Sequence, residues 1–242
     1  MKSRLGTSVT ALFITTLTLR ATIIIAGVCI VLAWAPIRAE ERTIKIVVLG
    51  DTLIENKGVP AFHRFPEQLE LALRAKGQSV AVVNAGLVTD TAARSLRRFD
   101  RVVTDDTDAV ILVLGGNDML WGIDANVVRG ALAEILGKLE ARRIAVLLCG
   151  LRTQSKFGDE YKNTFAAMFS GLASEHNVLF YPAFDDAFVE NAQLKALDGL
   201  HPNAAGNEAV VTRMLPTVET LIGLARRRHS VDNGPSMSPM PR

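Results

Sequence analysis

Cysteine is scarce in this chain of 242 residues: Cys29 and Cys149 are its two. Cys29 falls in an apolar N-terminal run, which leaves Cys149 by itself in the remainder. That excludes an intrachain disulfide in the body and a cysteine-built metal site, and it leaves the redox compartment open. Aromatic residues are few, at 6%, and no long stripe of Lys and Arg crosses the chain. The charge and stacking footprint of a nucleic-acid binder is therefore missing. There is no internal repeat.

Charge is unevenly spread. Residues 1–39 carry Lys2, Arg4, Arg20 and Arg38 and no acid, and residues 226–242 carry four Arg against Asp232. The body between them holds 19 bases and 24 acids, so the net charge of +2 comes from the ends. The length suits one good-sized core.

The first 39 residues begin basic, continue through an uncharged apolar run at Ala21–Ile37, and give way to Arg38-Ala39-Glu40-Glu41. This is the order of regions in a secretory signal peptide, with cleavage near Ala39. The rival is an uncleaved membrane anchor, because a run of this length just spans a bilayer. Export, to the periplasm or outside, is the favoured reading, with membrane contact confined to this segment. Residues 226–242, rich in Arg, Ser and Pro, read as a disordered basic tail.

The body, from residue 40 to 225, alternates. Short β-branched apolar runs at Ile44–Leu49, Val80–Val83, Ala109–Leu114, Ile144–Leu148 and Val178–Tyr181 read as buried strands. Helical patterns follow each at Pro66–Lys76, Thr91–Val103, Ala125–Ala141, Asp159–His176 and Ala204–Ala225. Strand then helix, repeated, predicts a parallel sheet between helix layers, an α/β/α sandwich.

Ligands bind such sheets beyond the carboxyl ends of the strands, so the segments found there carry the chemistry. They are Gly50-Asp51-Thr52-Leu53, Asn84 to Thr91, Gly115-Gly116-Asn117-Asp118 and, before the last helix, Asp198-Gly199-Leu200-His201-Pro202-Asn203. Each alone is an ordinary turn composition; four on one rim are not. Asp198 stands three residues before His201, a spacing that lets a carboxylate orient an imidazole as general base. Asn117 offers an amide donor to a developing oxyanion. Asp51 and Asp118 also suit helix capping, and His63, His176 and His229 read as structural or solvated.

Taken together, the four segments resemble the four sequence blocks of the GDSL/SGNH hydrolases, in order and at matching separation, from about Ile44 to Ile222. Phe65-Pro66-Glu67-Gln68-Leu69 and Leu200-His201-Pro202-Asn203-Ala204-Ala205-Gly206 extend the likeness toward the exported arylesterase, acyl-thioesterase and lysophospholipase branch. The resemblance implies a five-stranded parallel flavodoxin-like sheet. It also implies a nucleophile at Thr52, an Asp198–His201 pair and oxyanion donors at Thr52, Thr89 and Asn117, with Asp51 and Gly116 in support. No metal or organic cofactor is implied. The implied partner is a small acyl ester, thioester or lysophospholipid.

Two positions depart from the family pattern. The nucleophilic Ser is Thr52 here, whose extra methyl stiffens χ1 and crowds attack. The oxyanion Gly is Thr89, which keeps its N–H but makes any positive φ costly. Two readings follow: a working ester or thioester hydrolase, or a lapsed scaffold that binds acyl or lipid-like ligands. A metal-dependent hydrolase using Asp51, Asp118 and His201 ranks third. Arg152–Asp159 is expected to shape the pocket.

Overall fold

A computed structural model describes residues 42–152 and 157–232. The N-terminal segment expected to direct export or anchoring and the last ten residues lie outside the described residues. Five strands form one parallel sheet: β1 (Ile44–Gly50), β2 (Val80–Gly86), β3 (Ala109–Val113), β4 (Ala145–Cys149) and β5 (Leu179–Tyr181). They stand in the order β2-β1-β3-β4-β5. This is the flavodoxin-like arrangement, and it agrees with the fold expected from the sequence.

Burial explains the strand composition. β3 and β4 are buried throughout, and β1 is buried at every position but Lys45. Helices cover both faces there, so nearly every side chain is apolar. β2 and β5 are the edges and are only partly covered.

The long helices are α2 (Phe65–Ala75), α3 (Ala92–Val102), α5 (Ala125–Ala141), α6 (Asp159–Glu175) and α7 (Ala204–Asp232), with short helices α1 (Thr52–Glu55) and α4 (Gly116–Leu120) at the rim. α2 packs against α7, while α3, α5 and α6 pack side by side. α7 runs seven residues past Ala225, which corrects the expectation of a disordered segment starting at Arg226. Arg226 Nη1 donates to Gln78 Oε1 at 3.0 Å, a tertiary tie that composition does not reveal.

Register sets the height of the site. Gly50 pairs with Gly86 on one side and with Val113 on the other, so β1, β2 and β3 end level. The chain leaves β1 toward β2 on one side and later reaches β3 on the other, which opens a crevice at their carboxyl ends. α1 folds straight back over these ends. A Cβ on Gly50 would lie 2.2 Å from Ile54 Cγ1, and one on Gly86 would lie 2.3 Å from Glu55 N, so only glycine admits this turn.

Candidate active site

Thr52 opens α1, immediately after β1. Asp51 caps that helix: its Oδ1 accepts the Leu53 N–H at 3.0 Å, and its Oδ2 accepts the Gly116 N–H at 3.1 Å. One carboxylate thus joins the turn bearing Thr52 to the turn bearing Asn117. Burial raises the Asp51 pKa to about 6 against the pull of those N–H groups, and the Asp118 charge adds to the rise.

The Thr52 hydroxyl oxygen accepts two hydrogen bonds, from the Thr89 N–H at 3.2 Å and from Asn117 Nδ2 at 3.2 Å. A hydroxyl oxygen has two lone pairs. Both are engaged here, so its proton is the group left to donate. Asn117 Nδ2 also donates to the Asp90 carbonyl at 2.8 Å, which fixes the amide's plane. The three residues expected to surround an oxyanion therefore converge. The Thr52 N–H belongs to the first helical turn, where donors lack carbonyl partners within the helix.

Thr89 stands in a turn closed by the Asp90 N–H to the Leu87 carbonyl at 3.1 Å. Its φ is +60°, a left-handed conformation that costs a β-branched residue about 1–3 kcal/mol. Glu55 accepts the Val88 N–H. The positive φ foreseen as costly at this position is present.

The His201 loop comes from the far end of the chain. His201 Nδ1 and Asp198 Oδ2 are 2.7 Å apart, and Asp198 Oδ1 accepts the N–H groups of Leu200 at 2.9 Å and His201 at 3.0 Å. Partial burial pushes the Asp198 pKa up, but these N–H groups and the imidazole outweigh it and hold it at about 2. An ionised carboxylate on Nδ1 keeps that nitrogen protonated and leaves Nε2 free to accept a proton. Asn56 Nδ2 donates to the Pro202 carbonyl at 2.9 Å, and the His201 carbonyl accepts the Ala196 N–H at 2.8 Å.

Thr52, Asn117 and His201 line one solvent-open cleft. Leu53, Met119, Leu120, Leu151, Phe188 and Val189 form its apolar wall, and Arg152, Asp185 and Lys195 add polar groups. Of the segment expected to shape the pocket, Arg152 does line the cleft. Residues 153–156 lie outside the described residues, and Phe157 stacks near Tyr161 with ring centroids 5.3 Å apart.

The metal reading finds no support in the donor set. Asp51 is turned to backbone N–H groups, and Asp118 Oδ2 accepts the Ala92 N–H at 3.1 Å. Among the described residues no three His, Cys, Asp or Glu side chains stand together to hold an ion.

Several functional neighbours escaped sequence reasoning. Asp90 is buried beneath the turn and pairs with Arg98 Nε at 2.7 Å and Ser95 Oγ at 2.5 Å. Arg98 Nη2 in turn donates to the carbonyls of Gly50 at 3.1 Å and Ala85 at 2.8 Å, at the ends of β1 and β2. The signal was an Asp eight residues before an Arg, astride a helix start, which is a common pattern. Asp185, buried in the cleft, has a pKa raised to about 6 by burial, opposed by the Arg152 N–H.

A parallel 2-1-3-4-5 sheet with a hydroxyl, an amide and a carboxylate-held imidazole on one rim defines an α/β acylhydrolase scaffold. The chain belongs to the GDSL-like Lipase/Acylhydrolase family, whose profile matches residues 48–209. It is 26% identical to the esterase TesA of Pseudomonas aeruginosa over 80% of this chain and 96% of that protein. It is 28% identical to an arylesterase of Vibrio mimicus over 68% of this chain and 82% of that one. Among solved structures, TesA superposes with a TM-score of 0.70 at 26% identity, covering 73% of this chain and 99% of that one. The SGNH-hydrolase family esterase AlinE4 superposes at 0.64 with 31% identity, covering 75% and 98%.

Proposed function

We propose that this protein hydrolyses small carboxylic esters or thioesters, with Thr52 as nucleophile and His201, oriented by Asp198, as general base. The observation that carries this reading is the Thr52 hydroxyl, 3.2 Å from both the Thr89 N–H and Asn117 Nδ2 and lining one cleft with His201. His201 Nε2 takes the hydroxyl proton as Oγ1 attacks the acyl carbonyl, and the substrate oxygen takes over the donors at Thr52, Thr89 and Asn117. The imidazolium then protonates the leaving alcohol or thiol, and water repeats the sequence to release the acid. In the resting state Oγ1 itself occupies two of these donors. Substrate oxygen must displace it, and contacts to the base tighten as the site fills.

The apolar wall of the cleft suits an acyl chain, and the relatives' names, an esterase, an arylesterase and the thioesterase 1/protease 1/lysophospholipase L1 of Escherichia coli, support acyl-ester or thioester substrates. We place the activity outside the cytoplasm, on the export-type pattern of the first 39 residues.

A second reading is favoured by the β-branched residue at φ +60° and by the Thr at position 52: a scaffold that binds acyl ligands without turnover. One assay separates the two. Hydrolysis of p-nitrophenyl acetate and butyrate is measured for the protein, Thr52→Ser and His201→Ala. Activity in the native protein that His201→Ala abolishes establishes the hydrolase. Activity in Thr52→Ser alone identifies an intact but natively disabled site, and makes binding without turnover the better reading.

A further inference from the structure

We propose that Arg94 is a positioning residue for the oxyanion donors: seated on Trp121, it holds the Thr89 carbonyl and so keeps the Thr89 N–H aimed at the substrate oxygen. The proposal rests on the hydrolytic reading above.

The turn Leu87–Asp90 places Thr89 third, at φ +60°. Turns with a positive φ there take Gly or Asn as a rule, because a Cβ opposes it. Left to itself, a Thr in this place relaxes toward negative φ, and its N–H swings off the target. The turn therefore needs restraint from outside. The Thr89–Asp90 peptide receives it on both edges: the Asp90 N–H donates to the Leu87 carbonyl, and the Thr89 carbonyl accepts from Arg94 Nη1 at 2.9 Å.

Arg94 can reach because of where the helix starts. Thr91 caps α3 and accepts the Arg94 N–H at 3.2 Å. The side chain of the third helical residue folds back over the N-terminus, as in a capping box, but here a cation reaches a carbonyl two residues ahead of the cap. Its guanidinium also lies 5.9 Å from the Trp121 ring centroid, within cation–π range. Trp121 ends α4, the helix that bears Asn117, and its N–H donates to the Asn117 carbonyl at 3.0 Å. Arg94 thus spans the two segments that supply donors to the Thr52 oxygen. An exposed Arg on a half-exposed Trp adds little to global stability; its consequence is local.

The test uses the full chain with Arg94→Ala, Arg94→Lys, Thr89→Gly and the double variant Thr89→Gly/Arg94→Ala. Amide hydrogen exchange at residue 89, followed by NMR, reads the turn without substrate. The kcat and KM for p-nitrophenyl butyrate read the chemistry. Arg94→Ala is expected to speed Thr89 exchange while β1 amides keep their protection. It should also lower kcat about tenfold with KM unchanged, less than the 10²–10³ of removing a donor outright. Arg94→Lys should recover part of the loss. In the Thr89→Gly background Arg94→Ala should cost far less, since glycine adopts the turn unaided. Unchanged exchange in Arg94→Ala, or an equal kcat loss with and without Thr89→Gly, overturns the proposal. If no variant hydrolyses ester, the hydrolytic reading fails, while the exchange data still decide whether Arg94 holds the turn.

Discussion

Asn56 donates its amide to the Pro202 carbonyl at 2.9 Å, and this one bond ties the helix that begins at Thr52 to the loop that carries His201. Asn56 is itself in a left-handed conformation, φ +39°, and buried. Asn tolerates that conformation better than other L-residues, so one residue ends α1 with its backbone and reaches across with its side chain. Asn56→Gly keeps the backbone and removes the bond. We expect a loss of about 1–2 kcal/mol in denaturant unfolding. Since misplacement by about 1 Å costs on the order of a hundredfold in rate, kcat should fall by between about ten- and a hundredfold. A native kcat in Asn56→Gly would show that His201 is held from elsewhere.

Thr89→Gly exchanges strain for chain entropy. Relief of the left-handed Thr gains about 1–3 kcal/mol, and the freer unfolded chain takes back about 0.4–1. The net expectation is a gain of about 1 kcal/mol in urea unfolding. A loss of stability in Thr89→Gly would mean that the Thr side chain packs more favourably than its φ suggests.

The Asp90–Arg98 pair is buried, with Asp90 at 1% side-chain exposure and Arg98 at 11%. Removing only the cation leaves a carboxylate without compensation in the interior, which typically costs about 3–5 kcal/mol. Arg98→Met should destabilise by that order, and Arg98→Met/Asp90→Asn should recover part of it. Thermal denaturation of the three proteins checks both points. Equal destabilisation in the single and double variants would show that the bonds from Arg98 to the carbonyls of Gly50 and Ala85 dominate instead.

Burial raises the pKa of Asp51, Asp118 and Asp185 from 3.8 to about 6. In this window the folded chain keeps protons that the unfolded chain has released. Their contribution to stability is therefore complete below pH 3.8 and is lost as pH rises through about 6. Asp198, held at about 2, has the opposite sign, and its contribution is lost as pH falls below 3.8. The stability of the native protein relative to Asp51→Asn should accordingly decline between pH 3.8 and about 6. Urea titrations across the range measure it, and a flat difference refutes the assignment to Asp51.

The strands were legible because burial on both faces leaves a run such as Ile46–Leu49 no polar residue to interrupt it. The rim was legible because parallel strands end together, so residues after β1 and β3 meet whatever their separation in sequence. Asp51 reads as a helix cap, as it is for α1, but the extents of α1 and α4 were not legible: with four and five residues they carry no periodicity. Asn56 and Arg98 were missed for another reason. Asn56 bonds the Pro202 carbonyl, and Arg98, besides its pair with Asp90, bonds the carbonyls of Gly50 and Ala85; a carbonyl leaves no mark in a sequence. Thr89 lies between. Its identity warned of a costly φ, but only the turn geometry gives the +60° and the Arg94 contact that accompanies it.

The Asn56–Pro202 bond joins residues 146 positions apart. Synthesis runs from the amino end, so the Thr52 loop is made early, while Asp198 and His201 are made close to the last element, α7. A chain not yet made as far as Asp198, or cut short before it, carries the hydroxyl and its amide neighbours with no base beside them. On the proposed reading, the timing of biogenesis is then a safeguard. The growing polypeptide holds no esterase to act on its surroundings, and the site is armed only when the whole fold closes.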